Sequence, residues 1–238
     1  MIEDRRRSGA DGDDLLSMLL RARDEEGNGR EMTDRQVRDE AMTIFLAGHE
    51  TTSVALTWTW YLLSEHPQVE QRLHAELDEV LGERPPTIDD LHQLPYTERV
   101  LTESMRLYPP AWGIGRRCSA DDEIDGRRLP AGADILISPW VTHRHPEFWD
   151  RPERFDPERF TPEREAERHR HAYFPFGAGP RACIGQYFSM LEAVIALAVI
   201  AREFEVESLT DRVPLAPRIT LHPAAPVPCR LTERRAAG

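Results

Sequence analysis

Residues 33–65 carry one helical pattern, stopped by His66-Pro67. A helix of that length exceeds the usual globular element, so it has to cross the whole domain it belongs to. Its start is encoded locally. Thr33-Asp34-Arg35-Gln36 fits a capping box, in which the Thr hydroxyl and the Gln side chain satisfy free backbone N–H groups. The chain around it has 238 residues, enough for one large domain or two small ones. With 40% hydrophobic and 30% charged residues it has a soluble globular balance and can build a sizeable core.

The formal net charge is −12, and the cations are all arginine. Such an acidic chain is a poor candidate for binding nucleic acid, which depends on neutralising phosphates. No stretch reaches the ~18 apolar residues of a membrane helix; the longest candidate, residues 190–201, is interrupted by Glu192. The first fourteen residues are polar and lack the apolar core of a secretory signal. Cys118, Cys183 and Cys229 form no close pair and read as reduced thiols. With Met1 as the start, these features predict a cytoplasmic protein.

Further helices are predicted over residues 13–23, from Pro67 to Gly82, over 91–108 and over 183–204, with a polar loop at 24–30. Residues 113–138 break into short runs, with a strand at 134–137, and residues 214–231 read as short strands interrupted by prolines. Residues 146–162, rich in Pro, Arg and aromatics, read as an ordered meander. The expected architecture is mainly α with small β-sheets, in a single domain over residues 1–238 without a clear linker.

The chemistry concentrates in Tyr173-Phe-Pro-Phe-Gly-Ala-Gly-Pro-Arg-Ala-Cys-Ile-Gly185. Gly177, Gly179 and Gly185 allow sharp turns and close approach. Cys183 is placed where the last predicted helix begins, so free N–H groups and Arg181 favour its thiolate. A small buried hydrophobe is the bland alternative for any lone cysteine. Phe176-x-x-Gly179-x-Arg181-x-Cys183-x-Gly185 nevertheless resembles the haem-ligand signature of the cytochrome P-450 family at all five fixed positions. Ala47-Gly48-His49-Glu50-Thr51-Thr52 resembles that family's oxygen-activation motif. Glu103-Ser104-Met105-Arg106 resembles its Glu-x-x-Arg pair, and Phe155-Asp156-Pro157-Glu158-Arg159-Phe160 its meander motif. The four occur in family order.

The resemblance implies the C-terminal, haem-binding half of the family fold, with the N-terminal half absent from this chain. It implies haem b with Cys183 as axial iron ligand, in a loop formed by Phe176, Gly177, Gly179 and Gly185. It makes Glu50 and Thr51 the proton-delivery pair, ahead of Thr52. Propionate partners are Arg181 and then Arg116 or Arg117, with His143 a weaker candidate. Glu103, Arg106 and Arg159 become a buried structural network; without the resemblance, Glu103 and Arg106 read as a surface pair. Residues 110–115 and 218–221 resemble pocket-lining segments, and Cys118 and Cys229 match no signature.

The activity implied is monooxygenation: one atom of O2 enters a small apolar organic substrate. Electrons come ultimately from NAD(P)H through a ferredoxin or flavoprotein reductase. Residues 164–171, with Arg164 and Arg168, are a candidate docking patch on charge alone. A truncated, inactive haem-binding remnant, or one part of a split protein, is the alternative. A zincin reading of His49-Glu50 fails because Ser53 stands where a second His is needed. Walker, Gly-x-Gly-x-x-Gly and Gly-x-Ser-x-Gly motifs are absent.

Overall fold

The computed structural model describes residues 1–9, 12–23 and 29–234. Most of the predicted polar loop at 24–30 lies outside the described residues. The chain divides into two compact units, Met1–Glu50 and Thr51–Gly238, with the boundary inside the longest helix.

The first unit holds α1 (Ile2–Ser8), α2 (Leu15–Arg21) and the opening turns of α3 (Asp34–Glu65). The capping box forms as its residues dictate. Thr33 N–H donates to Gln36 Oε1 (2.9 Å), and Gln36 N–H donates to Thr33 Oγ1 (3.3 Å). Arg6 ties α1 to the same turn, donating to the Asp34 carboxylate (2.7 Å) and the Met32 carbonyl (2.9 Å). A lost cap costs about 1 kcal/mol. Thr33→Ala should therefore speed amide exchange at Gln36, whose N–H loses its acceptor, roughly fivefold. Unchanged rates would show that the box contributes nothing.

In the second unit α3 continues to Glu65 and His66-Pro67 stops it, as the residue before proline avoids helical backbone. The helix α4 (Pro67–Leu81) starts on that proline and ends at Gly82, whose φ of 54° is the left-handed region where glycine costs least. The predicted helix at 91–108 is two elements: a 3-10 turn, Ile88–Gln93, and α5 (Pro95–Leu107). Pro95 has no N–H to continue the turn but suits a first helical position.

The strands are β1 (Ile114–Arg117), β2 (Asp122–Ile124), β3 (Arg127–Leu129) and β4 (Asp134–Ile137), the last with the predicted bounds. Short helices α6 (Pro139–Thr142) and α7 (Pro162–Glu167) flank the meander. The long helix α8 (Gln186–Glu203) leads into β5 (Phe204–Ser208), β6 (Leu215–Pro217), β7 (Leu221–Pro223) and β8 (Cys229–Glu233). Among the described residues all sheets are two-stranded and antiparallel: β1 with β4, β2 with β3, β5 with β8 and β6 with β7.

The core lies where the long helices meet. Ala193, Val194, Leu197, Ala198 and Ala201 form one buried stripe on α8, and Leu73, His74, Leu77 and Leu81 one on α4. Leu62 and Leu63 of α3 join Leu73, Leu77, Leu81, Val100 and Leu197 in the main cluster. Trp58 belongs to the packing. Its wholly buried indole stacks on Tyr108 (4.2 Å between centroids) and donates to the Leu221 carbonyl (2.7 Å), pinning α3 to β7.

Candidate functional site

The cysteine loop runs from Phe174 to Gly185 and is held by its own backbone. Gly177 N–H donates to the Phe174 carbonyl (3.0 Å), Ala182 N–H to Gly179 (3.0 Å), and Cys183 N–H to Phe176 (2.8 Å). Gly177 and Gly179 both have φ of 73°, which L side chains avoid. A Cβ on Gly185 would stand 3.9 Å from Cys183 Sγ, so this glycine keeps the sulfur's flank clear. Phe176 anchors the loop against Ala55, Leu101, Met105, Ala193 and Val194, a second cluster drawn from α3, α5 and α8.

Cys183 is unpaired and exposed, beside an Ile184 that is 97% exposed and the exposed rings of Tyr187 and Phe188. The bland reading of Cys183 as a small buried hydrophobe does not hold. The helix boundary also differs from expectation. Gly185 is the N-cap of α8, and Cys183 precedes it in the loop. A cavity of about 340 Å³ lies behind the loop, lined by residues including Met105, Tyr173, Phe176 and Met190; Cys183 does not line it.

The strand β1 separates its two arginines. Arg117 makes a bidentate pair with Asp134 across the sheet (2.8 and 2.9 Å). Alternation puts Arg116 on the face of Ile114. Ile114 Cδ1 lies 3.6 Å from where a Cβ on Gly177 would sit. Arg116 therefore shares the cysteine-loop side, and Arg181 is exposed on the loop itself. Along α3, Gly48 and Glu50 belong to the first unit and Thr51 to the second. A Cβ on Gly48 would meet nothing within 4 Å. Glu50 and Thr51 are half-buried, and Thr52 is buried with its Oγ1 unpartnered.

Glu103 and Arg106 are both 0% exposed. The guanidinium grips the carboxylate with Nε (2.6 Å) and Nη2 (2.9 Å). It also donates to the carbonyls of His143 (2.8 Å), Pro152 (2.7 Å) and Arg154 (3.1 Å). Glu103 accepts in addition from Asp156 N–H (2.9 Å) and pairs with Arg159 (3.4 Å). Burial pushes the Glu103 carboxyl up, while the Arg106 fork pulls it back. One i, i+3 pair on α5 thus holds His143, just ahead of the meander, and the meander's middle at Pro152, Arg154 and Asp156.

Two expectations need correction here. His143 is neither solvated nor a propionate partner: it is wholly buried, and its Nε2 accepts the Phe174 N–H (2.9 Å). Burial, with Arg106 and Arg144 nearby, pushes its pKa down to about 3. Arg168 is not available to a docking patch. Its side chain is 12% exposed, stacked over the rings of Trp149 and Phe160 (4.5 Å each) and bonded to the Arg159 carbonyl. Arg164 is more exposed and pairs with Asp156 (3.7 Å).

Among the described residues no three His, Cys, Asp or Glu side chains converge as a ligand set for a bare metal ion. A metal that arrives with most of its donors already supplied takes as little as one from the protein, and a cysteine thiolate is among those it takes. An exposed thiol bordered by glycines fits that requirement.

The family model described as Cytochrome P-450 matches residues 1–228. Cyclooctatin synthase from Streptomyces melanosporofaciens is 49% identical over 211 residues, 88% of this chain and 46% of that protein. Pentalenene oxygenase from Streptomyces avermitilis is 43% identical over 236 residues, 98% of this chain and 52% of that protein. The crystal structure of the cytochrome P-450DA haem domain superposes with a TM-score of 0.91 at 36% identity, covering 99% of this chain and 53% of that one. The chain spans about half the length of the curated relatives it matches. It belongs to the cytochrome P-450 family, and its mainly helical body with small sheets is about half of that family's fold.

Proposed function

We propose that this chain carries the haem-thiolate centre of a monooxygenase, with Cys183 as the residue that would ligate the iron of a haem b. The observation that supports this most is the exposed Cys183 thiol, held by a glycine-turned loop on an apolar rim of Ile184, Tyr187 and Phe188. When bound, the haem would supply the activation of O2 that lets one oxygen atom enter the substrate. The chain's own residues bind, orient and move protons. Cys183 would hold the iron, and Arg181 and Arg116 would hold the propionate carboxylates. The Thr51 hydroxyl would hold a proton at its Oγ1 and the Glu50 carboxylate would relay protons to it, roles resting on their place in the α3 motif. Gly48 leaves the helix backbone uncovered for a flat ligand.

A small apolar organic molecule is the substrate class assigned. Relatives named for oxygenating pentalenene and cyclooctat-9-en-7-ol support it. Electrons arrive singly from a ferredoxin or flavoprotein reductase, ultimately from NAD(P)H. The network of Glu103, Arg106 and Arg159 supports the loop without touching the reaction. No helix of the described residues is long and apolar enough to cross a membrane, and the cysteines are all unpaired; a cytoplasmic location stays part of the proposal. Residues 1–238 act as one partial domain in this reading.

The test is the carbon-monoxide difference spectrum of the reduced protein, with haem supplied during expression. A thiolate-type, red-shifted Soret band that disappears in Cys183→Ser supports the assignment. A wild-type protein without that band, or a band that persists in Cys183→Ser, overturns it. Haem binding without turnover is the second reading. A thiolate band with no product when a reductase and substrate are added would select it.

A further inference from the structure

We propose that His143 is a positioning residue for the cysteine loop, fixing where the loop begins and thereby how Cys183 is presented. The inference rests on the reading of Cys183 as the ligand. His143 lies just after α6, far from the loop in sequence, yet its ring is wholly buried against it. Its Nε2 accepts the N–H of Phe174 (2.9 Å), the residue that opens the loop. The ring also packs on Tyr173 (5.0 Å between centroids) and edge-on to Phe174 (5.2 Å). From that anchor the backbone bonds continue through Gly177 N–H to the Phe174 carbonyl and Cys183 N–H to the Phe176 carbonyl.

The other side of His143 is held just as firmly. Its carbonyl accepts from Arg106 Nη1 (2.8 Å), so one residue joins the buried ion pair to the cysteine loop. An accepting Nε2 requires the neutral ring with its proton on Nδ1. The Nδ1 is buried without a hydrogen-bond partner of standard geometry. Burial and the guanidinium groups of Arg106 and Arg144 disfavour a second proton, so the acceptor persists at neutral pH. A hydrocarbon side chain of the same bulk would fill the space and leave the Phe174 N–H without its partner.

The test compares three variants. His143→Leu keeps bulk and removes the acceptor. His143→Gln can bring an amide oxygen to the Nε2 position. The shorter His143→Asn reaches only the Nδ1 position and must behave like Leu. The first readout, amide hydrogen exchange, needs no haem: Leu and Asn should speed exchange at Phe174, Gly177 and Cys183 roughly tenfold, and Gln should restore it. Amides of α5 should hold their rates in all three. The second readout is the thiolate fraction of the reduced carbon-monoxide spectrum, which should fall in Leu and Asn and recover in Gln. Unchanged loop exchange in Leu and Asn, or no recovery in Gln, overturns the proposal. Should Leu not fold, the contrast of Gln with Asn decides alone. A wild-type protein lacking the thiolate band sinks the ligand assignment instead, and the exchange rates still settle whether His143 positions the loop.

Discussion

Arg106→Ala should lower the stability of this chain by about 3–5 kcal/mol, the range found when one partner of a buried ion pair is removed. The magnitude follows from what the side chain leaves behind. Glu103 would remain 0% exposed as a carboxylate with only the Asp156 N–H and the more distant Arg159 to satisfy it. The carbonyls of His143, Pro152 and Arg154 would lose the donor they share. Arg106→Lys should fare little better, because one compact ammonium cannot span a carboxylate and three carbonyls in one plane. The pair of Arg117 with Asp134 is the internal control. Its geometry is equally bidentate, but its side chains are 70% and 72% exposed. Arg117→Ala should leave the midpoint close to that of the wild type, since solvent screens such a pair. Urea unfolding midpoints of the three variants measure the contrast. If Arg106→Ala and Arg117→Ala shifted the midpoint alike, the buried network would not be what holds the meander.

What could be read from the sequence was local. The capping box at Thr33, the stop at His66-Pro67 and the exit of α4 at Gly82 each depend on a few adjacent residues, so their chemistry is written where it acts. The cysteine loop is legible for the same reason: its glycines, arginine and thiol are contiguous. Glu103 and Arg106 share a helix face by spacing alone, but the carbonyls that Arg106 holds come from the meander, residues away that no local pattern points to. His143 and Arg168 failed as sequence readings on that account. A histidine in a loop and an arginine in a charged run look solvated until tertiary packing puts Phe174 and Trp149 against them. The choice between Arg116 and Arg117 needed the strand register, which sets Asp134 opposite Arg117. Pro95 was hidden because the apolar periodicity runs through it, and a proline at a first turn does not interrupt that pattern. The start of α8 slipped because Cys183 and Gly185 are both compatible with a helix entrance by residue type.

Acidification from pH 7 to pH 5 should destabilise the folded chain through two histidines that the fold keeps neutral. His143 has its pKa pushed down to about 3 by burial and by Arg106 and Arg144. His74, on the buried stripe of α4, falls to about 4 through burial and the nearby Arg234, against a smaller opposing pull from Asp78. In the unfolded chain both titrate near 6.5. Between that value and the folded pKa the unfolded state binds more protons, so stability is full above about pH 7 and drains as the pH falls. Each ring contributes a slope of up to ~1.4 kcal/mol per pH unit, and the pair approaches ~3 kcal/mol per unit near pH 5. The depressed carboxyls of Asp14, Asp90, Asp121 and Asp134 act in the same direction, but only below about pH 4, where their unfolded forms take up protons. The raised carboxyls of Glu70, Glu98 and Glu103 oppose the loss, because they bind protons more readily when folded. The variants separate these contributions. His74→Gln and His143→Gln each remove one titrating ring and leave every carboxyl in place, so each should flatten the stability curve between pH 7 and pH 5, and the double variant should flatten it further. Parallel curves for wild type and both variants would mean that the rings take up protons in the folded state, and that their burial does not hold them neutral.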